Sequence, residues 1–159
     1  MKIGVLLSLF ICIFLIFWAL PGCKKSTNPE ESCSTYTGIT ERDEVGNIAG
    51  NTDPDDWKDA GILHNLMASP NPYNSVCRIV FVLDSLAYVK ITVNNGPNKV
   101  IRSLVDQPLG QAHWYGVQWD LKNDSHEEVP DCIYRIYFSA TTDDTTYQTY
   151  GDIELRRNP

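Results

Sequence analysis

The chain has 159 residues, is 43% hydrophobic and carries a formal net charge of −7. This length suits one domain of ordinary size. The basic residues are scattered and form no stripe that could neutralise a phosphate backbone, so nucleic acid is excluded as a partner.

Residues 1–23 have the pattern of an export signal. Lys2 supplies a positive start, residues 3–20 are uniformly apolar, and the letters LPGC end the run at Cys23. A cleaved signal has a charged start, an apolar core and small residues before the cut. The apolar run is also just long enough to span a bilayer, so its length alone leaves a retained helix open as the alternative.

The ending resembles the lipobox of bacterial lipoproteins, in which a cysteine thiol receives a diacylglycerol and becomes the new N-terminus. Leu20, Gly22 and Cys23 match that pattern, whereas Pro21 is uncommon in it. The resemblance implies a signal peptide over residues 1–22 and lipid attachment at Cys23, with membrane lipid, palmitate included, as the first partner. A non-acidic residue after the cysteine, here Lys24, goes with outer-membrane sorting in that family.

Residues 23–35 follow as a polar tether without periodicity, and residues 36–67 lead into the main fold. Within the lead-in, a hairpin is predicted around the turn at residues 42–46, and a strand over residues 62–67. Four carboxylates lie close together here, at Asp53, Asp55, Asp56 and Asp59. They lack the glycine and glutamate of a calcium loop, so an Asp-Pro turn is preferred over a calcium site.

Residues 68–157 are predicted to form the body of the fold, with six further strands of period two. In CRIVFVL one face carries Cys77, Ile79, Phe81 and Leu83, and in CIYRIYF one face carries Cys132, Tyr134, Ile136 and Phe138. Short alternating strands separated by polar turns, without a helical pattern, predict an all-β antiparallel sandwich of about seven strands.

The same residues resemble a known family of Ig-like repeats, found in the flagellar hook-capping protein and in the C-terminal domains of type IX-secreted proteins. The likeness covers residues 69–139 and depends on the order of PNP, VKITV, an Asn/Gly turn, KVIRSLVD, HWYGVQWD and CIYRIYF. Leu121 and the pair Asp131 and Cys132 depart from the family pattern. The resemblance implies an Ig-like strand order and a non-catalytic structural or docking module.

The five cysteines are Cys12, Cys23, Cys33, Cys77 and Cys132. An exported protein can form disulfides, and the last three remain after signal removal and lipidation. In the Ig-like order the strands that begin at Cys77 and Cys132 run the same way and start at the same end. A disulfide between Cys77 and Cys132 is therefore predicted, and the state of Cys33 stays open.

No motif of a hydrolase, a metalloprotease, a phosphate-binding loop or a dinucleotide site is present, and His64, His113 and His126 are far apart. The sequence predicts no catalytic residue, no metal site and no cofactor. It predicts a membrane-anchored module of the cell envelope that contacts another envelope protein. Two alternatives stay open: binding of a glycan or small ligand through Tyr36, Trp57, Trp114 or Tyr150, and a small hydrolase with an unrecognised site.

Overall fold

A computed structural model describes residues 35–157, except for the side chains of residues 112 and 113. The described part is an antiparallel β-sandwich of seven strands, which confirms the predicted fold class. The strands are β1 (Leu63–Ser69), β2 (Cys77–Leu83), β3 (Ala87–Asn94), β4 (Val100–Leu109), β5 (Ala112–Trp119), β6 (Ile133–Thr141) and β7 (Thr146–Glu154). β1 begins in the predicted lead-in, residues 36–67, and extends two residues beyond it.

The strands form two sheets, one of three strands in the order β1-β2-β5 and one of four in the order β4-β3-β6-β7. The chain crosses between the sheets three times: at the short turn from β2 to β3, between β4 and β5, and between β5 and β6. β2 and β6 both begin at one end of the sandwich, which we call the base. The β2–β3 turn and the β6–β7 turn, residues 142–145, lie at the opposite end, the apex.

The core lies between the two sheets and is formed by the predicted inward faces. Alternate residues of a strand point to opposite faces, and those of β2, β3 and β6 that point inward are at most 8% exposed. Trp119 is fully buried at the base and packs edge-on against Tyr73 and Tyr134, at centroid distances of 6.3 and 5.2 Å. Aromatic pairs of this geometry stabilise a core beyond the area they bury.

The N-terminal segment, residues 36–62, packs on the four-stranded sheet and closes the outer edge of β7. The predicted turn at residues 42–46 is present, but its flanks form only the single bridge between Arg42 and Ile48. Trp57 is buried against Phe138, and its indole lies directly over Gly151 of β7, where a Cβ would meet the ring at 2.1 Å. Gly151 therefore leaves the space that Trp57 fills.

Individual backbone groups on the outer edge of β7 are hydrogen-bonded to other parts of the chain. Along its outer edge the carbonyls of Tyr150, Asp152 and Glu154 and the N–H groups of Asp152 and Glu154 all have partners. These partners come from two stretches of the chain, residues 56–57 and 71–73. Because an unpaired edge invites strand pairing with other chains, this arrangement removes β7 as a site of such pairing. Within the described residues no helix is both long and apolar enough to cross a bilayer.

Candidate functional site

The predicted disulfide between Cys77 and Cys132 is wrong. Cys77 is a free thiol and fully buried, whereas Cys132 is disulfide-bonded. Burial raises the pKa of the Cys77 thiol to about 12, and the neighbouring Tyr73 hydroxyl opposes that shift. A thiol with so high a pKa is almost never the reactive thiolate.

The physical reason lies in what fills the base of the core. Cys77 lies opposite Trp119 in the β2–β5 register, and the rings of Trp119, Tyr73 and Tyr134 pack together at this end. A cross-sheet disulfide needs Cα atoms within about 7 Å of each other, closer than sheets separated by such rings allow. The shared inward parity of the two cysteines was predicted correctly, but parity says nothing about the bulk between them.

The four clustered carboxylates each make different contacts. Asp53 accepts the N–H of Asp55 at 3.2 Å in a tight turn, as predicted, and Asp55 accepts the hydroxyl of Tyr150 at 2.7 Å. Asp59 contacts His64. Asp56 is buried and accepts two backbone N–H groups, from residues 40 and 152, at 3.0 and 2.8 Å. Among residues 35–157, no three His, Cys, Asp or Glu side chains converge in a way that could hold a metal.

A buried ion pair stands beside this cluster on the outer face of the four-stranded sheet. The Arg135 guanidinium donates to both carboxylate oxygens of Asp152, at 2.7 and 2.6 Å. Its Cζ lies 4.3 Å from the ring centroid of Tyr36 and 3.9 Å from that of Tyr150. Bidentate pairing and stacking on aromatic rings are the contacts that arginine makes best. They attach the beginning of the N-terminal segment to β6 and β7.

Burial controls the protonation of the carboxylates in this region. It raises the pKa of Asp56 to about 7, and the two backbone N–H groups that Asp56 accepts only partly oppose it. Burial also raises the pKa of Asp152, although the Arg135 guanidinium acts in the opposite direction. These groups are covered by the N-terminal segment and hold it in place.

Asn71 is the residue that the sequence reasoning missed. It is 1% exposed, and its Nδ2 donates to the carbonyls of Thr40 and Asp152, both at 3.0 Å. Its Oδ1 accepts the N–H of Glu154 at 2.9 Å, and its own backbone pairs with Arg42. One side chain thus connects the N-terminal segment, the turn before β2 and the closed edge of β7. The letters PNP entered the sequence analysis only as part of the family resemblance, which assigned no role to this asparagine.

The three histidines remain apart. His64 lies between two carboxylates, with Nδ1 3.2 Å from Asp59 and Nε2 2.9 Å from Asp84. The hydrogen bond with Asp59 is the main cause that raises the pKa of His64, and the contact with Asp84 raises it further. His126 adopts a positive φ of 62° in a turn, and the side chain of His113 is outside the described set. When protonated, His64 forms an ion pair through both ring nitrogens and then has no nitrogen left to act as a base.

The four aromatic residues considered for ligand binding do not share a face. Tyr36 and Tyr150 stack on Arg135, and Trp57 is buried between the N-terminal segment, to which it belongs, and the four-stranded sheet. Trp114 is 59% exposed on β5 of the other sheet. The structure therefore does not assemble them into one binding platform.

The apex carries two of the exposed large apolar side chains of the sandwich body; the others are Trp114 on β5 and, toward the base, Val76 and Val100. Leu86 is 68% exposed in the β2–β3 turn and Tyr88 is 48% exposed at the start of β3. An open groove of about 640 Å³ runs beside them, and its walls are Ser85, Leu86, Ala87, Tyr88, Pro108, Thr141, Thr142 and Asp143. Four exposed aspartates surround this end: Asp84, Asp106, Asp143 and Asp144. We call this surface the apex groove.

β5 presents a second surface, since it is the last strand of its sheet on that side. Tyr115 and Val117 pack toward the core, while Trp114, Gly116 and Gln118 are exposed. β4, the edge strand of the other sheet, is partly closed. Asp124 pairs with it at two backbone groups, and Pro108 has no N–H to offer.

In comparisons with known proteins, no family model, no curated protein and no solved structure matches the chain.

Proposed function

We propose that this chain is a lipid-anchored, non-catalytic module of the cell envelope, tethered through Cys23 in the outer membrane, which presents its Ig-like sandwich to another envelope protein. The proposal depends on one observation: the chain enters the sandwich at one end, and the apex groove lies at the opposite end. The chain reaches the sandwich near the base, where Tyr36 stacks on Arg135 close to the start of β6. The exposed apolar residues of the apex groove stand at the other end.

The disulfide at Cys132 supports the export of this chain. Disulfides persist in oxidising compartments outside the cytoplasm and are rare inside it. A signal ending in a lipobox-like LPGC predicts the same compartment from independent residues. From Cys23 to Tyr36 the chain spans at most about 45 Å when fully extended, so the base stays near the lipid and the apex points away from it.

The chemistry of the apex groove suits a protein partner. Exposed leucine and tyrosine side chains form an apolar centre, and Asp143 and Asp144 place acidic charge beside it, whereas Asp84 and Asp106 contact His64 and Lys90. Interfaces commonly combine an apolar, aromatic core with a charged rim that steers encounter. The partner we expect therefore has an apolar centre and a basic rim.

The buried polar groups elsewhere support a structural use. Asp56, Arg135 and Asp152 bind the N-terminal segment to the sheet and make their contacts within the protein. A catalytic site would instead direct such groups at a substrate. Their arrangement favours the non-catalytic reading over a hydrolase.

Site-specific photocrosslinking in intact cells tests the proposal. A benzophenone amino acid at position 86 should give one discrete adduct with an envelope protein. The same probe at position 76, where Val76 is 45% exposed near the base, is the matched control and should not give that adduct. Equal adducts at both positions, or none at 86, would contradict display of the apex. Mass spectrometry should find the mature chain beginning at an acylated Cys23, and an intact Met1 would contradict the lipid anchor.

A further inference from the structure

We propose that Cys132 forms its disulfide with Cys33, which staples the tether to the base of the sandwich. Cys132 is disulfide-bonded, and Cys77, the other cysteine among residues 35–157, is a free thiol. The remaining cysteines of the chain are Cys12, Cys23 and Cys33. The partner of Cys132 is therefore one of these three.

The path of the chain favours Cys33. The Tyr36 ring lies 4.3 Å from the Cζ of Arg135, so the two stretches of chain meet there. Cys33 precedes Tyr36 by three residues, and Cys132 precedes Arg135 by three. Three extended residues span about 10 Å in either stretch. These lengths are short enough for the thiols of Cys33 and Cys132 to reach each other.

The other two candidates are needed elsewhere, and this step rests on the proposed function. Cys12 lies within the apolar run that a signal peptidase would remove, and the thiol of Cys23 would be bound to lipid. Cys33 has neither use. It is also the cysteine closest in the chain to the described residues.

The bond forms by ordinary thiol–disulfide exchange with a disulfide donor of the exported compartment. One thiolate of the pair attacks the donor and forms a mixed disulfide, which releases one donor thiol. The second thiolate then attacks the mixed disulfide, forms the Cys33–Cys132 bond and releases the other donor thiol. The two thiols lose two electrons and two protons, and the donor is reduced to the dithiol.

The staple deepens the proposed function because it determines which end of the sandwich faces the membrane. With Cys33 bound to Cys132, only residues 24–32 remain as free tether. Those residues and the bonds that flank them extend about 35 Å at most. The base is then held next to the lipid by a covalent bond, and the apex groove is the surface that a partner meets.

Peptide mapping without reduction tests the pairing directly. Trypsin separates the three cysteines of the mature domain into peptides 26–42, 59–78 and 123–135. In protein purified from membranes and alkylated before unfolding, we expect peptides 26–42 and 123–135 joined at Cys33 and Cys132. Peptide 59–78 should be unlinked, with Cys77 modified only after unfolding. Linkage of 123–135 to any other peptide, or an alkylated Cys33, would overturn the pairing.

The same digest separates this inference from the proposed function. An acylated Cys23 with the expected linkage supports both, and an unmodified Cys23 with the expected linkage overturns the lipid anchor alone. Linkage of Cys132 to Cys23 overturns both.

A double-mutant cycle gives a second readout. Cys33→Ser and Cys132→Ser should each lower the melting temperature by the same several degrees, and the double variant should lower it no further. Additive effects, or an effect of only one of the two, would contradict a shared bond. Cys77→Ser is the matched control, because its effect should add to either.

Discussion

Replacing Asn71 by alanine should destabilise the sandwich by about 3–4 kcal/mol. The change removes three side-chain hydrogen bonds and leaves the carbonyls of Thr40 and Asp152 and the N–H of Glu154 without their partner. Thr40 and Asp152 are 3% and 1% exposed, so water cannot readily replace the amide there, and each lost bond costs about 1–2 kcal/mol. Glu154 is less buried, and its N–H can recover part of the loss from water.

Urea unfolding followed by tryptophan fluorescence measures the effect, with the m-value as a check that two-state behaviour is kept. Asn47→Ala is the matched control, because Asn47 also donates to a side chain but is exposed, and its loss should stay within about 0.5 kcal/mol. Asn71→Asp keeps the shape and the acceptor, but it places a second oxygen opposite two carbonyls. It should cost at least as much as alanine. A loss below about 1 kcal/mol in Asn71→Ala, or an Asn71→Asp variant as stable as the wild type, would refute this reasoning.

Trp119→Ala should cost about 3–5 kcal/mol in the same assay, because it empties a fully buried aromatic site at the base; a loss under 1 kcal/mol would show that the core does not depend on it. Gly151→Ala should cost about 1–3 kcal/mol, since the new methyl would displace the Trp57 indole, whereas Gly110→Ala, with open space around it, should be nearly neutral; equal effects would contradict the contact. The pKa of Asp56 is about 7 in the folded protein, above its ordinary value, so the folded state binds the proton more tightly and stability falls as the pH rises. Unfolding from pH 5.5 to 8.5 should show about 2 kcal/mol of loss that is absent in Asp56→Asn, and an identical pH profile in the variant would exclude Asp56 as its source.

The strands were predictable because the local pattern of apolar residues in each strand indicates which side chains are buried. In β2, β3 and β6 every second residue is apolar and points inward, as a half-buried strand requires. β4 is the weakest case: it is exposed along most of its length and contains a bulge opposite Ile91 and Thr92, so its pattern is irregular. The run KVIRSLV was nevertheless predicted as one of the short strands separated by turns.

The contacts that hold the N-terminal segment were not predictable in the same way. Asn71 bonds to residues 31, 81 and 83 positions away, and an asparagine between two prolines is typical of a turn whatever its distant partners. The bidentate pair of Arg135 and Asp152 shows the same limit, because an alternating strand places both on an outer face where exposure is the ordinary expectation. Local pattern determines which face a side chain takes, and only the packed chain determines what covers that face.

The buried thiol of Cys77 can serve as a built-in probe of how often the domain opens. Burial raises the pKa of this thiol to about 12, and none of its surface is exposed. An alkylating reagent can therefore reach it only in molecules that have opened. The rate of modification in native buffer then reports the fraction of open molecules multiplied by the reactivity of a free cysteine, as amide exchange does for a buried N–H. Opening of the core could thus be followed without denaturant and without an introduced label.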